Sequence, residues 1–156
     1  MPEGRPILYT ALAHVTGGRA KGHGRTSDGA LEVDLRIPTE MGGSGGGTNP
    51  EQLFAIGYAA CFESAMGVAA RRRRHEIADI AIDAKVMLLP TDERGFKLAV
   101  VLDVSLPSVP DPHEAMELVR AAHRVCPYSN ATRGNVDVSL TANGRRLDDA
   151  SQLSAA

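Results

Sequence analysis

The sequence predicts an α+β fold, and three observations carry that expectation. Short strand-like runs cluster at the start of the chain, one long apolar helix follows them, and the later strands are grouped around a second helical region. The expected order is βββ-α-ββ-αα-β. Strands and helices segregated in this way argue against a regularly alternating α/β sheet. A length of 156 residues fits one domain with a real core. Its expected limits are residues 7–142, with an N-terminal extension over 1–6 and a polar, frayed tail over 143–156.

Each element has a local reason. Ile7 to Thr16 reads as a strand turned by Gly17-Gly18, and Gly24 to Ser27 as a second, polar strand. Asp28-Gly29 makes a hairpin turn into Leu31 to Ile37, where apolar and charged residues alternate with the period of a half-buried strand. Pro38 ends that run, and a glycine-rich stretch, Gly42 to Gly47, reads as a flexible connector. It lacks the Gly-Lys-Ser/Thr ending of a P-loop and the spacing of a dinucleotide fingerprint. A long helix then starts near Asn49-Pro50 and runs to about His75, Asn49 suiting the cap and Pro50 the first helical position.

Ile77 to Leu89 and Gly95 to Leu106 are two further strands, hinged at Pro90 to Arg94. Asp111-Pro112 opens a second helix whose buried stripe is Ala115, Leu118, Val119, Ala122 and Val125. Cys126-Pro127 marks a fresh helix start that Gly134 stops, and Val136 to Thr141 is the last strand. The Leu53 to Ala70 segment is apolar on every face, whereas one sheet of about six strands covers only one side. A second copy of the chain would cover the rest, so an intimate homodimer is expected.

Composition excludes several functions. A net charge of −2 gives no general attraction to nucleic acid or anionic lipid. The absence of tryptophan and the scarcity of other aromatics leave little for base stacking. Leu53 to Ala70 could be taken for a membrane span, but Glu63 and Ser64 sit near its middle, where a carboxylate is costly in lipid. Arg71 to Arg74 suit the end of a helix dipole and solvate a buried helix, so they do not by themselves indicate nucleic-acid binding. Met1 to Pro6 has neither the apolar core nor the cleavage site of a signal peptide, which points to the cytoplasm.

Against that background the two cysteines stand out. A cytoplasmic chain rarely keeps a structural disulfide, so Cys61 and Cys126 are read as catalytic, redox-active or metal-binding. A buried helical cysteine is more often an inert small hydrophobe, and a reactive Cys61 would need a nearby cation to raise its thiolate fraction. His123 and Cys126 lie three apart on one helix face, which suits thiol activation or metal binding. Zinc requires about four ligands, and His14, His23, His75 and His113 show no paired spacing, so no metal is expected. A Cys–His–acid hydrolase remains open on residue types, although it gives no reason for a second cysteine. Glu51 fits a capping box with Thr48, or is freed from it when Asn49 caps instead.

The segments Tyr9-Thr10-Ala11 with Thr16-Gly17-Gly18-Arg19, Thr48-Asn49-Pro50-Glu51-Gln52-Leu53-Phe54-Ala55 leading to Gly57-Tyr58-Ala59-Ala60-Cys61-Phe62, and Ala122-His123 with Cys126 through Asn135 closely resemble the OsmC/Ohr family. The string Cys126-Pro127-Tyr128-Ser129-Asn130-Ala131-Thr132-Arg133-Gly134-Asn135 places the likeness in its organic hydroperoxide resistance branch. The resemblance covers about Leu8 to Leu140. It implies an intertwined homodimer with central helices packed between two sheets. It also implies a thiol peroxidase that reduces organic and lipid-derived hydroperoxides to alcohols. Cys61 matches the peroxidatic cysteine and Cys126 the resolving one, while Arg19 and Glu51 match the arginine and carboxylate that serve the thiolate. Phe54 and Phe62 would make the surroundings favour greasy hydroperoxides. No bound cofactor is implied. The reductant is external, a dithiol in the form of dihydrolipoyl groups on a lipoylated protein. An OsmC-fold protein with acyl-transfer or hydrolytic thiol chemistry, and a non-enzymatic dimeric module, are the rival readings.

Overall fold

The computed structural model describes residues 4–147, so most of the expected tail and half of the N-terminal extension lie outside the described residues. The chain divides into two compact units, one up to Pro50 and one from Glu51 onward.

The first unit is a three-stranded antiparallel sheet of β1 (Ala13–Thr16), β2 (Gly22–Thr26) and β3 (Glu32–Leu35), in the order β1-β2-β3. The expected Asp28-Gly29 turn closes β2 onto β3. Asp28 accepts from the Thr26 hydroxyl at 2.6 Å and the Ala30 amide at 3.0 Å, and Gly29 takes a φ of +71°. The first strand is much shorter than expected, because pairing with β2 reaches back only as far as Ala13. Ile7, Leu8, Tyr9 and Leu12 precede it and are exposed.

The glycine-rich stretch is a correction to the expected flexible connector. After a short 3-10 turn at Thr39–Met41, the chain returns tightly along the exit of β3. The amides of Gly43 and Gly45 donate to Pro38 and Ile37, and Thr48 exchanges bonds with Asp34 and Arg36. A Cβ on Gly43 would lie 2.1 Å from the Ile37 carbonyl oxygen, and one on Gly47 would lie 2.7 Å from that of Asp34. These glycines serve close backbone approach.

The second unit contains α1 (Pro50–Arg72), β4 (Ala81–Pro90), β5 (Phe96–Ser105), α2 (Pro112–Val125), α3 (Pro127–Thr132), β6 (Asp137–Ala142) and β7 (Arg145–Arg146). Its sheet runs β4-β5-β6-β7, with β5 and β6 parallel and the other pairs antiparallel. A parallel pair needs a crossover, which α2 and α3 supply. Two sheets thus replace the single sheet of about six strands. The frayed tail is also corrected at its start: Asn143-Gly144 turns the chain into β7, and Leu147 is buried. The Asn143 side chain receives the Leu106 amide at 2.7 Å and donates to the carbonyls of Leu106 and Val109, fixing that turn.

Helix α1 begins where Asn49-Pro50 places it, with Asn49 in the cap position. Its length and apolar composition would suffice to cross a membrane. Here, however, Tyr58, Phe62, Ala65, Met66, Ala69 and Ala70 form one face, which enters the core with Val100, Leu102, Leu118 and Leu140. The opposite face, including Ile56, Ala60, Glu63 and Ser64, is exposed. Along α2 the stripe is Ala115, Leu118, Val119, Ala122 and His123, with Val125 only half-buried. Asp111 caps that helix by accepting the Glu114 amide at 2.8 Å.

Candidate active site

The two cysteines meet. Cys61, from the middle of α1, and Cys126, from the junction of α2 and α3, are both free thiols with sulfurs 3.6 Å apart. Sixty-five residues separate them in sequence, so the juxtaposition is a product of the fold. Their settings differ. Cys61 is half-buried, whereas Cys126 is fully enclosed.

Local sequence explains how Cys126 is held. Its amide donates to the Ala122 carbonyl at 2.8 Å, ending α2, and its own carbonyl accepts the Asn130 amide at 3.0 Å, starting α3. Pro127 takes the first helical position, where no amide donor is required. Arg133 ties the two helices from outside, donating to the His123 carbonyl at 2.6 Å and to the Asn130 side chain at 2.8 Å. Gly134, at a φ of +78°, then releases the chain toward β6.

Burial pushes the Cys61 thiol above its ordinary pKa, because a thiolate loses solvation there, and the neighbouring Cys126 thiol adds to the rise. The backbone amide of Tyr128 opposes it by donating toward the sulfur. On the same side, α1 carries Gly57 beneath the Tyr128 ring. A Cβ at this position would sit 3.0 Å from the phenol oxygen. Tyr128, Phe54 and Tyr58 form a three-ring cluster with centroids 5.7 to 5.8 Å apart, giving the site an aromatic flank.

His123 does not act as a cation here. Buried and repelled by Arg133 and Arg124, its imidazole pKa falls to about 4, so it is neutral at pH 7. Its Nδ1 is engaged with the Ser129 hydroxyl at 2.9 Å. Among the described residues no His/Cys/Asp/Glu group is arranged to hold a metal.

The other expected site residues fall as follows. Arg19 lies in the β1–β2 turn of the first unit and is half-buried. Glu51 is the second residue of α1, so it does not fold back before the regular helix. Ten residues then separate it from Cys61, an axial rise of about 15 Å and a rotation of roughly 80°. Phe54 is half-buried in the ring cluster. Phe62 is a correction: it is fully enclosed in the core with its ring 6.5 Å from that of His123, and it lines no open pocket. Adjacent helical residues diverge by about 100°, so Cys61 and Phe62 face different directions.

The sequence had not singled out Tyr58, Tyr128, Ser129, Thr132 or Arg133 for a role. Four of them belong to the Cys126–Asn135 string, and polar residues at buried helical spacing were the available signal.

The chain is similar to known proteins over most of its length. Residues 43–141 match the family model for OsmC-like protein. The chain is 51% identical over 139 residues to the organic hydroperoxide resistance protein of Xanthomonas axonopodis pv. citri, covering 86% of this chain and 94% of that one. It is 48% identical over 134 residues to the organic hydroperoxide resistance protein OhrB of Bacillus subtilis, covering 85% and 96%. Among solved structures, an organic hydroperoxide resistance protein from Legionella pneumophila is similar with a TM-score of 0.82, at 52% identity over 86% of this chain and 97% of that one. One from Vibrio cholerae, with captopril bound in one of its active sites, has a TM-score of 0.86 at 42% identity, covering 93% and 99%. With paired thiols on the same fold and relatives matched over nearly their whole length, the chain belongs to the OsmC family and, within it, to the organic hydroperoxide resistance branch.

Proposed function

We propose that the protein is a cysteine-based thiol peroxidase that reduces organic hydroperoxides to alcohols. The observation that carries this reading is the contact of two free thiols at 3.6 Å, one half-buried and one enclosed. The half-buried Cys61 is the sulfur a peroxide can meet, and the enclosed Cys126 is suited to react only with it. The relatives' name, organic hydroperoxide resistance protein, supports the substrate class. So does the aromatic flank of Phe54 and Tyr128, backed by the buried Tyr58.

In the first step the Cys61 thiolate attacks one peroxide oxygen. The O–O bond breaks, the departing alkoxide takes a proton to become an alcohol, and Cys61 is oxidised to a sulfenic acid. In the second, Cys126 attacks the Cys61 sulfur, and the sulfenic hydroxyl leaves as water with a proton. An external dithiol, a dihydrolipoyl group on a lipoylated protein, then reduces the Cys61–Cys126 disulfide by thiol–disulfide exchange. The protein needs no bound cofactor, because its sulfurs carry both electrons.

Burial alone leaves Cys61 a poor thiolate source, so the reading requires a cation. The resemblance assigns that role to Arg19, with Glu51 holding its guanidinium in a two-pronged pair. Glu51 is some 15 Å along the helix from Cys61, which favours a Glu51 supplied by the partner subunit of a homodimer. Exposed Ile7, Leu8, Tyr9 and Leu12 in one unit and Ile56 in the other are surfaces that such a dimer would cover. We infer a cytoplasmic location from the N-terminal sequence, which lacks the apolar core of a signal peptide.

The test is a coupled assay of cumene hydroperoxide against hydrogen peroxide, with dihydrolipoamide and then glutathione as reductant, alongside thiol titration. One equivalent of cumene hydroperoxide should convert both thiols to an intrachain disulfide. Cys61→Ser should abolish consumption, and Cys126→Ser should react once and then overoxidise. Peroxide-independent thiols would sink the reading, and activity surviving in Cys61→Ser but not in Cys126→Ser would invert the two roles.

A further inference from the structure

The polar residues around Cys126 form a chain whose direction can be deduced link by link. Thr132 Oγ1 lies 2.9 Å from the Tyr128 carbonyl oxygen and 3.3 Å from that of Ser129, and carbonyls only accept. Its one hydrogen is therefore committed. Tyr58, 3.2 Å away, must donate to Thr132. With that hydrogen used, the Tyr58 oxygen accepts from Ser129 at 3.0 Å. Ser129 has then spent its own hydrogen, so His123 Nδ1, at 2.9 Å, is the donor. The order is His123 to Ser129 to Tyr58 to Thr132 to the Tyr128 carbonyl, and it fixes His123 as the neutral Nδ1–H tautomer. The low His123 pKa agrees with a ring that stays neutral.

We propose that this chain positions Cys126 for closure onto Cys61, with Tyr58 and Ser129 as positioning residues for disulfide formation. His123 and Ser129 stand three residues before and after Cys126, and Tyr58 stands three residues before Cys61. The Tyr58–Ser129 and Tyr58–Thr132 bonds thus join the two sulfur-bearing segments next to the sulfurs themselves. Tyr58, His123, Ser129 and Thr132 are all buried. Removing one link strands its neighbours without water, which costs more than the bond itself contributes.

The geometric demand is specific. A disulfide requires about 2.05 Å between sulfurs, so closure from 3.6 Å needs an approach of about 1.5 Å. If α1 and the α2–α3 junction stay locked together, rotation of the two side chains supplies it. If they drift, closure waits on the helices to realign, and the sulfenic acid meanwhile meets a second peroxide. The closing step is self-contained: the S–S bond forms, the S–O bond of Cys61 breaks, and water leaves with the Cys126 proton.

This inference rests on the thiol-peroxidase reading, and one experiment separates their failures. Wild type, Tyr58→Phe, Ser129→Ala and Thr132→Val are given rising cumene hydroperoxide without reductant. Intact mass then gives the ratio of disulfide to Cys61 sulfinic acid, and thermal melts are run in parallel. Each variant should shift the ratio toward sulfinic acid by roughly fivefold, the order expected for the loss of one net hydrogen bond. Double variants should shift it little further, because the links act as one unit. A wild type that forms no disulfide overturns the function. A wild type that does, beside folded variants with an unmoved ratio and lowered melting temperatures only, overturns the positioning role. Any one of the three that folds suffices to decide.

Discussion

Phe62 distinguishes a core residue from a substrate contact, and its replacement has a calculable consequence. The side chain is wholly enclosed, packed in the same cluster as Met66, Leu102 and Leu118, with its ring 6.5 Å from that of His123. Phe62→Ala removes a whole ring from a site that can collapse only partially, a change that typically costs about 3–5 kcal/mol. For a chain of this size each kcal/mol lowers the melting temperature by roughly 2–4 °C, so a fall of about 6–20 °C is expected. The assay is urea and thermal unfolding at fixed protomer concentration, since any dimer makes stability concentration-dependent. Alongside it, kcat/KM is measured for cumene hydroperoxide and hydrogen peroxide well below the melting temperature. The preference for the organic substrate should survive Phe62→Ala and fall in Phe54→Ala, whose ring lies in the half-buried cluster with Tyr128. A Phe62→Ala protein within about 1 kcal/mol of wild type that has lost its organic preference would refute the placement of Phe62 in the core alone.

Two further outcomes follow from the electrostatics. Arg19→Ala should raise the alkylation pKa of Cys61 beyond the elevation that burial already imposes, and slow oxidation by organic hydroperoxide, each unit being worth about 1.4 kcal/mol. Arg19→Lys should rescue poorly, and an unchanged alkylation pKa with an unchanged rate would return Arg19 to a surface role. His123 titrates near 4 in the fold against 6.5 unfolded, so the unfolded chain binds its proton first as pH falls. Its contribution is therefore intact above about pH 6.5 and is lost between there and pH 4, with a slope of at most about 1.4 kcal/mol per pH unit. His123→Asn, which keeps a donor toward Ser129, should flatten that window in pH-dependent denaturation, and an identical slope would argue against a buried neutral histidine.

What the sequence made legible was whatever local chemistry dictates. The Asn49-Pro50 start of α1, the Asp28-Gly29 turn, the Cys126-Pro127 restart and the Gly134 stop all fall where residue preferences put them. What it hid depends on partners distant along the chain. Residues 7–12 are apolar and strand-prone enough to read as strand, yet pairing reaches back only to Ala13, and composition carries no information about a partner's length. Gly43 and Gly47 read as slack, because composition cannot separate a flexible loop from one in which any Cβ would strike backbone. Phe62 next to a candidate peroxidatic cysteine suggested a pocket, although a helix turns adjacent side chains about 100° apart. The polar chain through Tyr58 could not be inferred, since its partners lie 71 and 74 residues away.

In the proposed peroxidase cycle, the unequal burial of the two sulfurs would order the chemistry beyond the first step. Exchange rates depend on which sulfur an incoming thiolate can reach as well as on the leaving thiol. Cys126 is enclosed on every side and stays so while the α2–α3 junction holds, its backbone bonded to Ala122 and Asn130 and flanked by the Arg133 bridge. In the proposed cycle an external dithiol would therefore meet the disulfide at Cys61, forming the mixed disulfide there and releasing Cys126 into the position from which it would next resolve. On that proposal the same sulfur would face the oxidant and the reductant in turn, and the bracing around Cys126 would serve both halves of the cycle. The proposed cycle also accounts for a raised, buried thiol pKa at the sulfur assigned to nucleophilic attack. Enclosure costs Cys61 thiolate, which an arginine can restore, but it is the same enclosure that holds a second sulfur within reach.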